Sequence, residues 1–358
     1  MTMSMLSEHR RAFERANPGV FFLDPNEPDK LENFLKTNGW LHFQEHIQGV
    51  RKAGEGNMNC TMRVRTNQRS FVVKQARPWV EKYAQFEAPA ERAQYEIGFY
   101  RLISESPELS AQMPAFLFAD EPAYFLGMSD LGEGNDFSTV YSGDRFSPEE
   151  FSQLLQFLLT LHASFRGRQN ERDFSNHALR RFNHGHIFVV PMDPANGLDL
   201  DGITPGLAAL AAELHNDRDY RAQVEEMGRY YLEDGDTLIH GDFFPGSYLR
   251  TANGLRVIDP EFCCFGRAEV ELGIFIGHML LAQQDRASIL GFLNGYQQAA
   301  PLAIEPVLRL AGVEIMRRLI GVAQLPVALD LEGKRRLLGT SRRLVLEPSL
   351  SGLTDYSG

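Results

Sequence analysis

The segment HGDFFPGSYLRTANGLRVIDPEF, residues 240–262, decides how the rest of the chain is read. The apolar run TLIH, ending at His240, leads into Gly241 and Asp242. Next, YLRT and GLRVID form two short alternating runs joined at Asn253-Gly254, a pair suited to a tight hairpin turn. Asp242 therefore sits in a loop five residues before Ser247, Asp259 closes the second strand, and Glu261 follows two residues later. HGD alone is commonly a turn with a capping aspartate. Two polar clusters flanking one hairpin fit that explanation poorly and predict a site whose chemistry uses carboxylates.

The 358 residues are 43% hydrophobic and 11% aromatic, which allows a large core, and the length suits two domains better than one. A formal net charge of −11 and a pI of about 5.4 argue against a general nucleic-acid binder, because phosphate neutralisation needs clustered Lys and Arg not outnumbered by carboxylates. A neutral or cationic small substrate fits better. The N-terminal stretch lacks an apolar core between charged and small-residue regions, and no uninterrupted apolar run reaches the length of a membrane span. The expectation is a cytoplasmic protein with no membrane partner; a homodimer is left open. Cys60, Cys263 and Cys264 offer neither an even disulfide framework nor metal-ligand spacing, so buried, reduced thiols are expected.

Residues 1–39 read as polar helical segments. After them GEGNMNCTMRVRT and RSFVVKQA form two strands, with Val64, Val72 and Val73 supplying β-branched residues. A helix follows from about Pro89, with Tyr95, Phe99, Leu102 and Ile103 on one face, then the strand-like AFLFAD and AYFLGMSDLG. From residue 132 the pattern turns helical. Ser147, Pro148 and Glu150 supply an N-cap, a first-turn proline and a capping-box acid, and further helices are predicted near 217–232, 268–283, 303–323 and 331–345. The fold class is therefore α+β in two lobes: residues 1–131, a small antiparallel sheet with one helix and an N-terminal helical extension, and residues 132–358, mostly helical.

These parts fit phosphoryl transfer from ATP, which needs a cover for the triphosphate, a cation on its phosphates, divalent metal, and a carboxylate that orients the attacking hydroxyl. Gly54, Gly56 and Asn57 lie between strands, where glycine lets backbone approach phosphate. The third position of a GxGxxG pattern is Asn59 and no helix opens there, so a dinucleotide fold is disfavoured. Lys74 stands on the next strand between apolar neighbours, and Glu96 on the following helix is the preferred partner for it over Glu91. Asp242 is the expected orienting carboxylate; Asp259, Glu261 and Ser247 are the expected Mg²⁺ ligands. His184 and His186 lack further ligands at zinc spacing, and GLDLDG lacks the glycine and terminal glutamate of a calcium loop. No GxxxxGK[ST] or GxSxG occurs.

On these residues the chain resembles the aminoglycoside phosphotransferase/choline kinase superfamily and, within it, is most similar to 5-methylthioribose kinases. GEGN, VVKQA, HGDFFPGS, VIDPEF and EIMRRLIG stand where that family carries its glycine loop, ATP lysine, catalytic loop, metal aspartate and late arginine pair. The resemblance implies a protein-kinase-like fold, ATP and Mg²⁺ as cofactors, and a small-molecule hydroxyl as acceptor. It makes serine at Ser247 a family trait, assigns LGMSDLG to the interlobe hinge with Met128, Ser129 and Leu131 against adenine, and brings Arg317 and Arg318 to the substrate. The alternative for that pair is a solvated helix face. Glu271 in VELG stands where related kinases carry an aspartate that supports the catalytic loop, and Ala88 replaces a tryptophan. Residues 133–230 carry little of the family pattern. Methylthioribose or a related sugar is the leading acceptor. An aminoglycoside, choline or amino-alcohol acceptor is the alternative within the class, and a nucleotide-binding pseudokinase the alternative outside it. A protein kinase is disfavoured, because DPEF leads almost directly into a helix with no room for an activation loop.

Overall fold

A computed structural model describes residues 3–54, 56, 58–171 and 173–353. It divides into two compact units, Met1–Glu133 and Gly134–Gly358. The mixed α+β architecture with an antiparallel sheet is the one expected from the sequence.

The first unit opens with α1 (Met3–Ala16) and α2 (Pro28–Thr37). Its strands are β1 (Ile47–Lys52), β2 (Cys60–Thr66), β3 (Ser70–Gln75), a small hairpin of β4 (Trp79–Val80) and β5 (Tyr83–Glu87), and, after α3 (Arg92–Ile103) and the short α4 (Pro107–Ser110), β6 (Phe116–Asp120) and β7 (Phe125–Ser129). The main sheet runs β1-β2-β3-β7-β6, antiparallel throughout. Alternation places Met62, Val64, Phe71 and Val73 on one face, where they pack with Leu31 and Leu35 of α2. The helical extension therefore seals the sheet. A second cluster, Phe13, Phe22, Trp79 and Ala84, joins α1 to the small hairpin. That hairpin and β1 were not read from the sequence.

The second unit carries β8 (Asn135–Asp136), α5 (Pro148–Phe165), α6 (His177–His184), α7 (Leu200–Ile203), α8 (Leu207–Asn216) and α9 (Arg218–Leu232). After them come β9 (Thr237–Ile239), the hairpin β10 (Tyr248–Thr251) and β11 (Gly254–Val257), and β12 (Cys264–Gly266). It closes with α10 (Ala268–Leu281), α11 (Arg286–Ala299), α12 (Ile304–Ile320) and α13 (Leu331–Leu346). The α5 capping box forms as expected, with the Ser147 hydroxyl accepting from Glu150 N–H and the Glu150 side chain accepting from Ser147 N–H. In the hairpin, Thr251 pairs with Gly254, so the two turn residues are Ala252 and Asn253. Gly254, with φ of 93°, opens the return strand instead of completing the turn, which shifts the predicted turn by one residue.

Helix α10 is apolar on every side and buried along almost its whole length, as a central helix must be. It lies against α12 through glycines: a Cβ on Gly273 would stand 2.5 Å from Leu310 Cβ, and one on Gly277 2.7 Å from Glu314 Cβ. This close approach brings α12 side chains against the base of the catalytic segment. All three cysteines are buried. Burial pushes the Cys60 thiol up to about 11 and the Cys264 thiol up to about 12, so both stay protonated at neutral pH.

Candidate active site

In the first unit, Lys74 lies on β3, hydrogen-bonded on both sides by β2 and β7, so its backbone has no freedom to shift. Its ammonium meets the Glu96 carboxylate of α3 at 2.9 Å, and the two side chains are 3% and 1% exposed. Glu91 is exposed at the N-cap position of α3, where its side chain makes no capping hydrogen bond. Glu96 supplies the opposite charge that a cation buried this far requires, and it holds the Lys74 amine at one place. Gly54, with φ of 76°, occupies the left-handed region that glycine adopts without strain, and nothing lies within 4 Å of where a side chain on Gly54 or Gly56 would begin. Gly54 and Gly56 thus present bare backbone. Asn57 lies outside the described residues.

The far end of that loop is tied down by Arg92, a residue that sequence reasoning passed over. Its buried guanidinium donates to Asn59 Oδ1 at 3.0 Å, Met58 O at 2.9 Å, Arg77 O at 2.9 Å and Pro89 O at 2.7 Å. At the predicted hinge, Met128 is buried within β7. The Ser129 N–H donates to Ala115 O and its hydroxyl accepts from Ala115 N–H, both at 2.8 Å. The Ser129 N–H is therefore committed to the fold. Leu131 makes no backbone hydrogen bond among the described residues.

In the second unit, the catalytic segment hangs on one residue, Ile258. Its N–H donates to Ser247 O at 2.9 Å, extending the hairpin by one rung, and its carbonyl lies 2.9 Å from His240 Nε2. Ser247, His240 and the residue before Asp259 are thereby locked together. Gly241, with φ of 83°, is required twice over: the backbone is left-handed, and a Cβ would stand 2.2 Å from Phe262 O. The Asp242 loop rests directly on the PEF segment for that reason. Asp259 adopts φ of 61°, a strained conformation for a residue with a side chain, of the kind that accumulates at functional sites. Asn176 pins the next stretch by donating to Glu261 O at 2.9 Å and Cys263 O at 3.1 Å. Glu271, from α10, accepts from the N–H groups of His240 at 2.8 Å and Gly241 at 2.9 Å, so it holds the backbone that leads into Asp242.

Asp242 is half-buried. Burial pushes its carboxyl up to about 7, against the opposing pull of Arg318 and Arg317. Those arginines do not lie on a solvated helix face: they are 8% and 6% exposed. Both are gripped by Glu314, one turn back on α12, with Arg317 Nε at 2.6 Å and Arg318 Nε at 2.8 Å from its carboxylate. Burial alone would raise the Glu314 carboxyl, but the two guanidinium groups outweigh it and hold it well below the usual carboxylate range. His278 lies behind, with Nε2 2.8 Å from Glu314 and Nδ1 2.6 Å from the Tyr141 hydroxyl. Burial drops His278 to about 4, so it is neutral. Arg318 also donates to Ala323 O at 3.2 Å and stacks over the Phe244 ring. Among the described residues, the terminal amines of Arg317 make no hydrogen bond, and neither arginine forms an ion pair with Asp242. Open donors therefore stand near a carboxylate without quenching it.

Ser247, Asp259 and Glu261 are hard oxygen donors gathered at one end of the hairpin. Among the described residues, no three His, Cys, Asp or Glu side chains form a cage for a metal. Magnesium does not need one, since it binds through one or two carboxylates and takes its other ligands from phosphate and water. The donor set fits Mg²⁺ on those terms. His184 and His186 end α6 and begin a π-helical turn, Gly185–Val189, with no metal cluster around them. The carboxylates of GLDLDG are occupied as caps: Asp199 accepts from Gly202 N–H, and Asp201 from Gly206 and Ala208 N–H.

The sequence left signals for some of what was missed. Glu314 precedes Arg317 and Arg318 by three and four residues, the spacing that places all three on one helix face. His278 and His162 sit alone in apolar helices and announce no partner.

Fold and site together define a kinase-like phosphotransferase. The model of the phosphotransferase enzyme family matches residues 49–307, and the chain belongs to that family. It is an enzyme that transfers phosphate to a hydroxyl group. A methylthioribose kinase of Bacillus cereus (strain G9842) is 22% identical over 346 residues, 84% of this chain and 86% of that one. The methylthioribose kinase of Exiguobacterium sibiricum is 26% identical over 247 residues, covering 65% and 61%. Among solved structures, the AMP-bound complex of a spectinomycin phosphotransferase matches with a TM-score of 0.52 at 14% identity, over 89% of this chain and 98% of that one. Choline kinase from Cryptosporidium parvum matches with 0.50 at 12% identity, over 89% and 94%. At such identities these structures speak for the fold alone.

Proposed function

We propose that this protein transfers the γ-phosphate of ATP to a hydroxyl of a small, uncharged polyol, with methylthioribose or a related sugar as the leading substrate class. The observation that carries this reading is the buried Arg317–Arg318 pair acting on Asp242. A choline, amino-alcohol or aminoglycoside acceptor would bring its cation toward two guanidinium groups, of which Glu314 can neutralise one. At an effective dielectric of about 20, two unit charges 6 Å apart repel by roughly 3 kcal/mol, about a hundredfold in affinity. The arrangement thus argues against the cationic acceptors that the acidic composition had left open as the alternative. A polyol hydroxyl, by contrast, can accept from the open Arg317 amines.

In this reading the chain's own groups work by position and charge. Lys74, held by Glu96, neutralises phosphate oxygens, while bare backbone at Gly54 and Gly56 lies over them and Leu131 meets adenine. Ser247, Asp259 and Glu261 would hold magnesium, which when bound would neutralise charge on the phosphates. Asp242 accepts a hydrogen bond from the acceptor hydroxyl, aims its oxygen at the phosphorus and takes the proton as the new bond forms. The retention of Lys74, Asp242 and Asp259 together speaks against a pseudokinase. Among the described residues, no helix is long and apolar enough to cross a membrane.

The test is ADP release from Mg-ATP against methylthioribose, other neutral sugars, choline, ethanolamine and aminoglycosides. Saturable turnover confined to neutral polyols is expected. Preference for a cationic acceptor would overturn the substrate reading; ATP binding without turnover on any acceptor would favour the pseudokinase.

A further inference from the structure

We infer that His162 and Tyr296 are positioning residues for phosphoryl transfer, acting through Glu271 on the backbone that carries Asp242. The inference rests on the phosphotransfer reading above and extends it to two helices that touch none of the expected ligands.

Glu271 presents both oxygens to the catalytic loop: one accepts from Gly241 N–H at 2.9 Å, the other from His240 N–H at 2.8 Å. The second oxygen also lies 3.2 Å from His162 Nε2, and His162 Nδ1 lies 2.7 Å from the Tyr296 hydroxyl. His162, Glu271, Tyr296 and His240 are all 1% exposed or less. A neutral imidazole fits these contacts in one tautomer. A carboxylate only accepts, so Nε2 carries the hydrogen and donates to Glu271; Nδ1 is then an acceptor, and the Tyr296 hydroxyl donates to it. Each member is satisfied, as a buried polar chain must be to persist.

The chemistry explains why such a chain is needed here. A glutamate has one more rotatable bond than an aspartate, so its carboxylate can turn away from the two amides it must meet together. His162 removes that freedom by holding the shared oxygen from the opposite side, and Tyr296 holds His162. Helices α5, α10 and α11 thereby converge on two backbone amides, one of which belongs to the residue preceding Asp242. Misplacing a reacting group by about 1 Å can cost about a hundredfold in rate. The relay keeps the loop within such a margin.

The test compares His162→Leu, His162→Gln and Tyr296→Phe with the wild-type protein on its best acceptor. His162→Leu should lower kcat by about tenfold to a hundredfold with the nucleotide Kd and the KM for ATP unchanged. His162→Gln keeps an N–H donor near the Nε2 position and should restore most of that loss; Tyr296→Phe should fall between them. If both His162 variants are equally slow, or if folded His162→Leu turns over at the wild-type rate, the relay only packs the core and the inference fails. Should the wild-type protein turn over no acceptor, the phosphotransfer reading falls by itself, and amide exchange reads the relay separately. Exchange at His240 and Gly241 accelerated by about tenfold or more in His162→Leu, above neighbouring amides, supports the relay. Exchange unchanged there contradicts it.

Discussion

The Asp242 carboxyl, held up near 7 by burial against the pull of Arg318 and Arg317, ties the chemistry to pH. A carboxyl raised above its ordinary range keeps its proton until the pH passes the raised value, and in that state it cannot accept one from the acceptor. For the free enzyme, kcat/KM for the acceptor should therefore fall as pH drops through about 7 and level off above it; a flat profile between about pH 6 and 8 would contradict the assignment. The buried Lys74–Glu96 pair makes a second prediction. Lys74→Met leaves a carboxylate buried without its cation and should cost about 3–5 kcal/mol in urea unfolding, whereas adding Glu96→Leu should recover much of that loss. Equal losses in the single and double variants would show that packing, not charge, sets the cost.

At the scale of elements, the glycines of α10 decide how closely α12 approaches. Alanine is the better helix former by roughly 0.5–1 kcal/mol. On Gly277, however, its methyl would press on Glu314 Cβ at 2.7 Å and Ala311 O at 3.0 Å, and overpacking costs about 1–3 kcal/mol. Gly277→Ala should destabilise and disturb Glu314, while Gly291→Ala on α11, with nothing within 4 Å, should stabilise. Chemical denaturation of the two variants side by side reads both signs, and a shared sign would refute the packing argument. The elements that carry local signals were legible in advance: the Ser147 capping box, the 217–232 helix and the 248–257 hairpin follow from caps, period and turn residues. The β4–β5 hairpin was not, because strands of two and five residues hold too few positions to establish a period. Helix α11 begins at an aspartate cap, Asp285, yet Gly291, Asn294 and Gly295 blur its apolar stripe.

For the molecule as a whole, legibility followed the range of the interactions. Lys74, Glu96, Asp242 and Asp259 were readable because the chemistry fixes their types and order along the chain. His278, Tyr141, Arg92 and His162 draw their meaning from partners as much as 137 residues away, as with Tyr141 and His278, and nothing local marks them. The same holds for residues 133–230, where the π-helical turn at Gly185–Val189 lies in a stretch with little family pattern. Nucleotide binding itself should be visible in the intact protein: ATP at about a hundred times its Kd should add about 2.7 kcal/mol to stability, read as a rise in Tm. No shift at saturating Mg-ATP would remove the nucleotide from the account.

The central claim, that Asp242 orients the acceptor hydroxyl, is tested most directly by Asp242→Asn. The measurement is ADP release from Mg-ATP with the best neutral acceptor, alongside the nucleotide Kd of both proteins. The account predicts an unchanged Kd and a loss in kcat of about 10²–10⁴, the size expected when a positioned general base is removed. Turnover within a few-fold of wild type, at full occupancy of both substrates, would contradict it.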